Sequence, residues 1–197
     1  MSPDVPPPAG TTGTPGTPGS SGTPGSSGTP GASGTPVASG TPVASGGPGT
    51  PEGYHTLTPY LNVRGAKAAL AFYHEAFGAE ELFRLEGPGD LLGHAEMRLG
   101  DSVFMLSDEH EDWGNRSPTS LGGTSCQVMV YVSDVDAAFA RAVAAGATVL
   151  RPVEDQFYGD RSGSVLDPFG HHWTLSTHVE DVPPDEMNRR MKEMMGG

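Results

Sequence analysis

The chain has 197 residues, a net charge of −13 and a single cysteine. That charge argues against nucleic acid and anionic membranes as partners, and one cysteine, Cys126, excludes an internal disulfide and a cysteine-based zinc site. No apolar run is long enough to span a bilayer, and no basic start precedes an apolar core at the N-terminus, so neither a membrane span nor a secretory leader is expected and a cytoplasmic location follows by default.

Residues 1–53 are almost entirely Gly, Pro, Ser, Thr and Ala. Glycine recurs at every third position from Gly10 to Gly34; Val37 and Val43 break the period, and Gly40, Gly46 and Gly49 resume it. This is a collagen-like period, but it is short, interrupted and uncharged, so a disordered, proline-spaced linker is expected. The remainder suits one compact domain over 54–179, in two halves at 54–108 and 125–179 joined by a connecting loop at 109–124. Residues 180–197 form a C-terminal extension.

In the first half, Thr56 to Val63 reads as a strand, with Pro59 favouring an edge position. Ala66, Ala69, Leu70, Tyr73 and Phe77 then recur at helical spacing, and Gly78 ends that helix. Strands are expected at Glu80 to Leu85, His94 to Leu99 and Ser102 to Ser107, divided by glycine turns. The pattern restarts at Cys126 to Val132, a strand in which Cys126 is expected to be buried. Ser133 and Asp136 are spaced as a capping box before a helix from Val135 to Ala145. Further strands follow at Thr148 to Pro152, Ser162 to Leu166 and His172 to Thr177.

Asp167-Pro168-Phe169-Gly170 has the residues of a tight turn. After it, Trp173 and Leu175 alternate with His172, Thr174 and Ser176, so one face is core and the other polar. His55, His74, His110, His171 and His178 are read as surface. Trp113, in the connecting loop, is either loose or a cap over the site. Prolines and a methionine-bearing face mark a short helix from about Pro184 to Met195.

The order β-α-β-β-β therefore occurs twice. The fold class is α+β, two tandem βαβββ modules forming a curved mixed sheet, helices outside and a central cup within.

The motifs TPYLNV, AFYHEAFGAE, HAEMRLGDSVFMLSDE, SPTSLGG, YVSDVDAAFARAVAAGA and DRSGSVLDPFGHHWTLSTHVEDV resemble the vicinal oxygen chelate superfamily. That superfamily includes glyoxalase I, bleomycin- and fosfomycin-resistance proteins and extradiol dioxygenases, and the likeness is to its PhnB-like branch. Metal-dependent relatives carry His or Glu where the resemblance places Thr58, Met105, Gln127 and Thr174. Hydroxyl, thioether and amide groups are weak ligands for divalent transition metals, so the standard metal site is not expected.

By strand parity Tyr60 and Asn62 join Thr58 on the cup, and Met129 and Tyr131 join Gln127. Arg161, in the loop motif FYGDRSG, either clamps a ligand carboxylate or forms a local ion pair. His94 and Glu96 share a face, and with His172 they are the candidate catalytic set, as an acid–base group or as ligands that leave room for a divalent metal. The null alternatives are a polar network at the cup floor and a cup filled by its own side chains. The expected function is binding of a small organic molecule in the cup, with no cofactor and as a homodimer. The alternative is a metal-dependent lyase, transferase or dioxygenase using His94, Glu96 and His172. No Ser-His-Asp, phosphate-loop or dinucleotide fingerprint is present.

Overall fold

The computed structural model describes residues 49–196; the Gly-X-Y tract and most of the linker lie outside the described residues. The first module runs β1 (Tyr60–Val63), α1 (Ala66–Phe77), β2 (Glu80–Glu86), β3 (Leu92–Leu99) and β4 (Ser102–Asp108). The second runs β5 (Gln127–Tyr131), α3 (Val135–Ala144), β6 (Thr148–Asp155), β7 (Asp160–Leu166) and β8 (His172–His178). The connection holds a one-turn helix, α2 (Pro118–Leu121), and the chain ends in α4 (Pro184–Met194). Each module is one four-stranded sheet, in the orders β1-β4-β3-β2 and β5-β8-β7-β6, and the two sheets exchange no strand hydrogen bonds. In each, the strand before the helix pairs in parallel with the module's last strand, and the remaining pairs are antiparallel.

The helices start where distant side chains cap them. Gly65, at φ 94°, has no side chain with which to cap α1. The buried Asp108, at the end of β4, takes that role: its Oδ1 accepts from Gly65 N (2.8 Å) and Ala66 N (2.9 Å), and its Oδ2 from Leu92 N (2.7 Å). The cap of α3 is Asp134, whose carboxylate accepts from Ala137 N at 3.0 Å, and not the expected Ser133 box; Asp136 is drawn instead to Arg161. Thr177, near the end of β8, accepts from Val135 N at 3.0 Å, so in both modules the last strand caps that module's helix.

Both helices bury their apolar faces in one core. Ala66, Ala69, Leu70, Phe72, Tyr73, Ala76 and Phe77 of α1 are buried, as are Val135, Ala138 and Ala142 of α3. Trp173, 1% exposed, stands at the centre: its ring lies 4.7 Å from Phe77, 5.4 Å from Tyr73 and 5.9 Å from Phe104. Arg141 of α3 donates to the terminal carbonyl of Ala76 at 2.9 Å, which closes the end of α1.

Asp167 joins the modules. Oδ1 accepts from the turn amides of Phe169 (2.9 Å) and His171 (2.8 Å); Oδ2 accepts from Trp173 Nε1 (2.9 Å) and from Tyr73 Oη across the module boundary (2.8 Å). Burial first, then the Asp167 charge, pushes the Tyr73 phenol well above its ordinary range, so it stays a donor. The turn closes through Gly170, at φ 88°, where an added Cβ would meet Pro118 at 3.0 Å.

Three expectations change, and Trp113 takes the loose one of its two readings. β1 begins at Tyr60, because Pro59 lacks an N–H; Thr58 lies before the strand and donates to His55 O at 3.1 Å. Cys126 is exposed, since it precedes β5 in a turn where Thr124 accepts from its amide. His171 is buried, not superficial, and its Nε2 lies 3.1 Å from the Asn62 carbonyl of the other module. Trp113 is 70% exposed and stacks on His110, with ring centroids 4.2 Å apart, so it caps nothing. Helix α4 buries no residue; it is held through Arg190, which donates to Glu180 at 2.8 Å.

The connection is organised by Glu109. Its Oε2 accepts from Ser117 N (3.1 Å), Ser117 Oγ (2.7 Å) and Ser120 Oγ (2.5 Å), and its Oε1 from Arg64 Nε (2.7 Å). The Ser120 hydroxyl, against the cost of burial and aided by Ser117 and Arg64, pulls this carboxyl from its ordinary 4.5 to about 2.

Two stability outcomes follow from these carboxylates. Asp167→Ala orphans four buried donors and is expected to cost about 3–5 kcal/mol in urea unfolding, against about 1–2 kcal/mol for Tyr73→Phe. Glu109 binds its proton more weakly when folded, so its contribution is fully present above pH 4.5 and is lost as pH falls through about 2. Over that window the wild type should lose more stability than Glu109→Gln in urea titrations at successive pH values.

Candidate functional site

Each sheet has a helix face and an open face, and parity separates them. On the first sheet Leu61, Val63, Ala95, Met97, Phe104 and Leu106 face the core. Tyr60, Asn62, His94, Glu96 and Met105 occupy the alternate positions, with Tyr60 opposite Met105 and Met105 opposite Glu96. The Tyr60 hydroxyl lies 3.1 Å from His94 Nδ1, and His94 Nε2 lies 3.1 Å from Glu96 Oε1. A hydrogen bond from the Tyr54 hydroxyl, against burial and aided by His94, holds the Glu96 carboxyl below its ordinary value. An ionised Glu96 accepts from Nε2–H, which leaves Nδ1 bare and makes Tyr60 the donor. Phe83 closes the other side of the imidazole, 6.4 Å between ring centroids.

On the second sheet Gln127, Met129 and Tyr131 alternate with Val128 and Val130. Gln127 Nε2 donates to Thr174 Oγ1, which lies 2.8 Å from Ser164 Oγ. Two rows along, the buried Asp160 accepts from Tyr131 Oη and Ser176 Oγ, each at 2.9 Å, and lies 2.9 Å from His178 Nδ1. Ser162, Ser164, Thr174 and Ser176 are all 3% exposed or less, so the open face of this sheet is floored by hydroxyls. Arg161 is not on it. Its neighbour Gly163 abuts Phe139 of α3, and Arg161 itself holds Asp136 through two bonds of 2.8 Å and Asp155 through one of 3.0 Å. Of the two readings of Arg161, the local ion pair is the one formed.

A cavity of about 290 Å³ lies where the modules meet, lined by Tyr60 and Asn62 of β1, Arg116 and Leu121 of the connection, Cys126, and His172 of β8. His172 Nε2 is buried there without a hydrogen-bond partner. His172 thus belongs to the junction and not to the His94–Glu96 pair. Among the described residues no group of three or more His, Cys, Asp and Glu side chains is placed to hold a metal ion, so the proposed His94–Glu96–His172 set is not assembled. The superfamily's own metal positions fit no better: Thr58 is spent on His55 O, Gln127 and Thr174 on each other, and Met105 offers a thioether.

The family model for the Glyoxalase/Bleomycin resistance protein/Dioxygenase superfamily matches residues 54–175. The chain belongs to this superfamily. An uncharacterized Mycobacterium bovis protein is 46% identical over 144 residues, 72% of this chain and 95% of that one. Among solved structures, TioX from Micromonospora sp. ML1 is 31% identical with a TM-score of 0.52, covering 62% of this chain and 98% of that one. A glyoxalase-related enzyme from Fulvimarina pelagi is 25% identical with a TM-score of 0.51, covering 66% and 94%.

Sequence reasoning passed over Tyr54, Arg151, Ser162 and Ser164. The two serines were accessible to it, since Asp160, Ser162 and Ser164 recur at every second position of a strand. Burial first and then Glu96 push the Tyr54 phenol up to about 12. In Glu96→Gln one tyrosine should therefore ionise closer to 10, read as phenolate absorbance against pH, while Glu81→Gln leaves the curve unchanged.

Proposed function

We propose that the chain binds a small organic molecule between its two modules, without the standard metal, as a cytoplasmic homodimer. The junction cavity carries this reading. Its volume suits a small ligand, and its lining pairs an aromatic and a leucine with amide, guanidinium and imidazole groups, the mixture such sites use. The unpartnered His172 Nε2 supports it, because a buried nitrogen seldom goes without a hydrogen bond.

The homodimer draws on the outer strands. β2 leaves Leu82, Phe83 and Leu85 43–52% exposed, and β6 leaves Val149 46% and Leu150 49% exposed, apolar edges of the kind a second copy covers. The cytoplasmic setting draws on the unpaired, exposed Cys126 and on the lack, among the described residues, of any helix long and apolar enough to cross a membrane. A second reading is favoured by one specific observation, the ordered chain Tyr60–His94–Glu96. It is suited to moving a proton at Tyr60 Oη during acid–base chemistry on a bound molecule, and it needs no third ligand.

A thermal-shift screen of organic compounds should find ligands that raise Tm, since binding to the folded form alone stabilises it. Leu121→Trp, which places an indole in the cavity, should abolish that rise without lowering the unliganded Tm. No responding compound, or an unaltered response in Leu121→Trp, would defeat the cavity reading. Dialysis against zinc, manganese or nickel should leave far less than one metal per chain, and light scattering should give twice the chain mass.

A further inference from the structure

We propose that the open face of the second sheet carries an oxyanion-binding subsite made by Arg151 and the free proton of the Ser164–Thr174 hydroxyl pair, so that the ligand is an organic anion bearing a carboxylate or phosphate group. The inference rests on the small-molecule reading above and adds the ligand's charge.

Arg151 is the first observation. Most basic side chains of this acidic chain sit against carboxylates: Arg64, Lys67, Arg84, Arg98, Arg161, Arg189 and Arg190 all form salt bridges. Arg151 forms none among the described residues, and its one side-chain bond runs from Nη2 to Ser164 Oγ at 3.4 Å. That bond fixes its direction, across the sheet and onto the open face. Asp160, two rows along, makes no bond to it; its carboxylate is engaged by His178, Tyr131 and Ser176.

The strand itself is shaped around Arg151. The β6–β7 register shifts on both sides of the Arg151–Ser164 pair, between Val149 and Arg151 and again between Arg151 and Glu154. Bulges of this kind re-aim a side chain at the expense of regular pairing. Pro152 follows directly and offers no amide to a ladder.

The hydroxyls are the second observation, independent of the first. Gln127 Nε2 donates to Thr174 Oγ1 and Arg151 Nη2 to Ser164 Oγ, and the two hydroxyls lie 2.8 Å apart. One hydroxyl proton closes that bond, and the other is left unspent beside the guanidinium. Both hydroxyls are more than nine-tenths buried, which fixes them in place. A guanidinium fork with an adjacent oriented O–H is donor-only chemistry, and its complement is an oxyanion. The exposed Met129, paired to Thr174 in the same row, supplies apolar contact for the ligand's body.

The test is an NMR titration of the full chain with inorganic phosphate and with acetate, each as the probe, followed by benzoate against benzamide. Saturable shifts centred on Arg151, Ser164 and Thr174 are expected, with benzoate bound about tenfold or more tighter than benzamide. Arg151→Gln should remove the difference, Arg151→Lys should restore part of it, and Arg161→Gln, which deletes a charge from the helix face, should leave it intact. Shifts centred on Arg116, equal affinity for benzoate and benzamide, or an unaltered Arg151→Gln would each overturn the subsite. If neutral compounds raise Tm in the thermal screen while benzoate gains nothing from Arg151, the anion inference falls and the small-molecule reading stands. If the anions bind at Arg151 while no organic compound responds to Leu121→Trp, the reverse holds.

Discussion

One buried carboxylate sets the geometry of both modules. Asp167 sits in the turn between β7 and β8, yet one of its four bonds comes from Tyr73 in the first module's helix. A buried charge is tolerated only when its acceptor sites are filled, and here turn, indole and phenol fill them together. Because the indole and the phenol share Oδ2, the Trp173 and Tyr73 rings are held 5.4 Å apart at a tilt of 54°, and α1 is held against the second sheet as well as its own. The helix faces of both sheets are thereby committed to a common core, and chemistry is left to the opposite faces and to the seam between the modules.

The same device recurs at smaller scale within each module. The last strand returns beside the first, and a side chain near its end meets the orphan amides of the helix: Asp108 for α1, Thr177 for α3. A helix of 10 or 12 residues gains little from propensity alone. Its start is secured by closure of the sheet. The carboxylate in the first module also holds the amide of Leu92, whereas Thr177 passes its own proton to Val132 O at 2.8 Å. The duplicated plan thus survives a change in the chemistry of its key residue.

What the sequence made legible follows from range. Alternation within a strand and three-to-four spacing within a helix are local, so the two modules, the core face of α1 and the open-face placement of Tyr60, Asn62, Gln127 and Tyr131 could be read directly. Parity also put His94 beside Glu96. The failures that bear most on the site are relations between distant segments. The caps Asp108 and Thr177 lie more than 40 positions from their amides, and His171 is buried by the backbone of the other module. Grouping His172 with His94 required knowing how the modules meet, which no single strand specifies. Arg161 was placed by its motif and not by alternation; counted from Asp160 and Ser162 it falls on the helix face, where Asp136 waits.

The composition of the second sheet's open face is the remaining clue to what the fold is for. Ser162, Ser164, Thr174 and Ser176 are buried to the same degree as the valines and leucines on the other face, yet they add no apolar stabilisation. Each buried hydroxyl costs free energy unless it is bonded, and here every one is bonded, in a chain from Gln127 to Arg151 and a cluster around Asp160. Valine at Thr174 alone would leave Gln127 Nε2 and Ser164 Oγ without that partner, whereas an aliphatic floor throughout would remove the polar cost altogether. Folding alone does not call for a hydroxyl floor. Its use is to orient donors towards whatever rests on that face, and the guanidinium at its margin determines the sign of the charge that is welcome there.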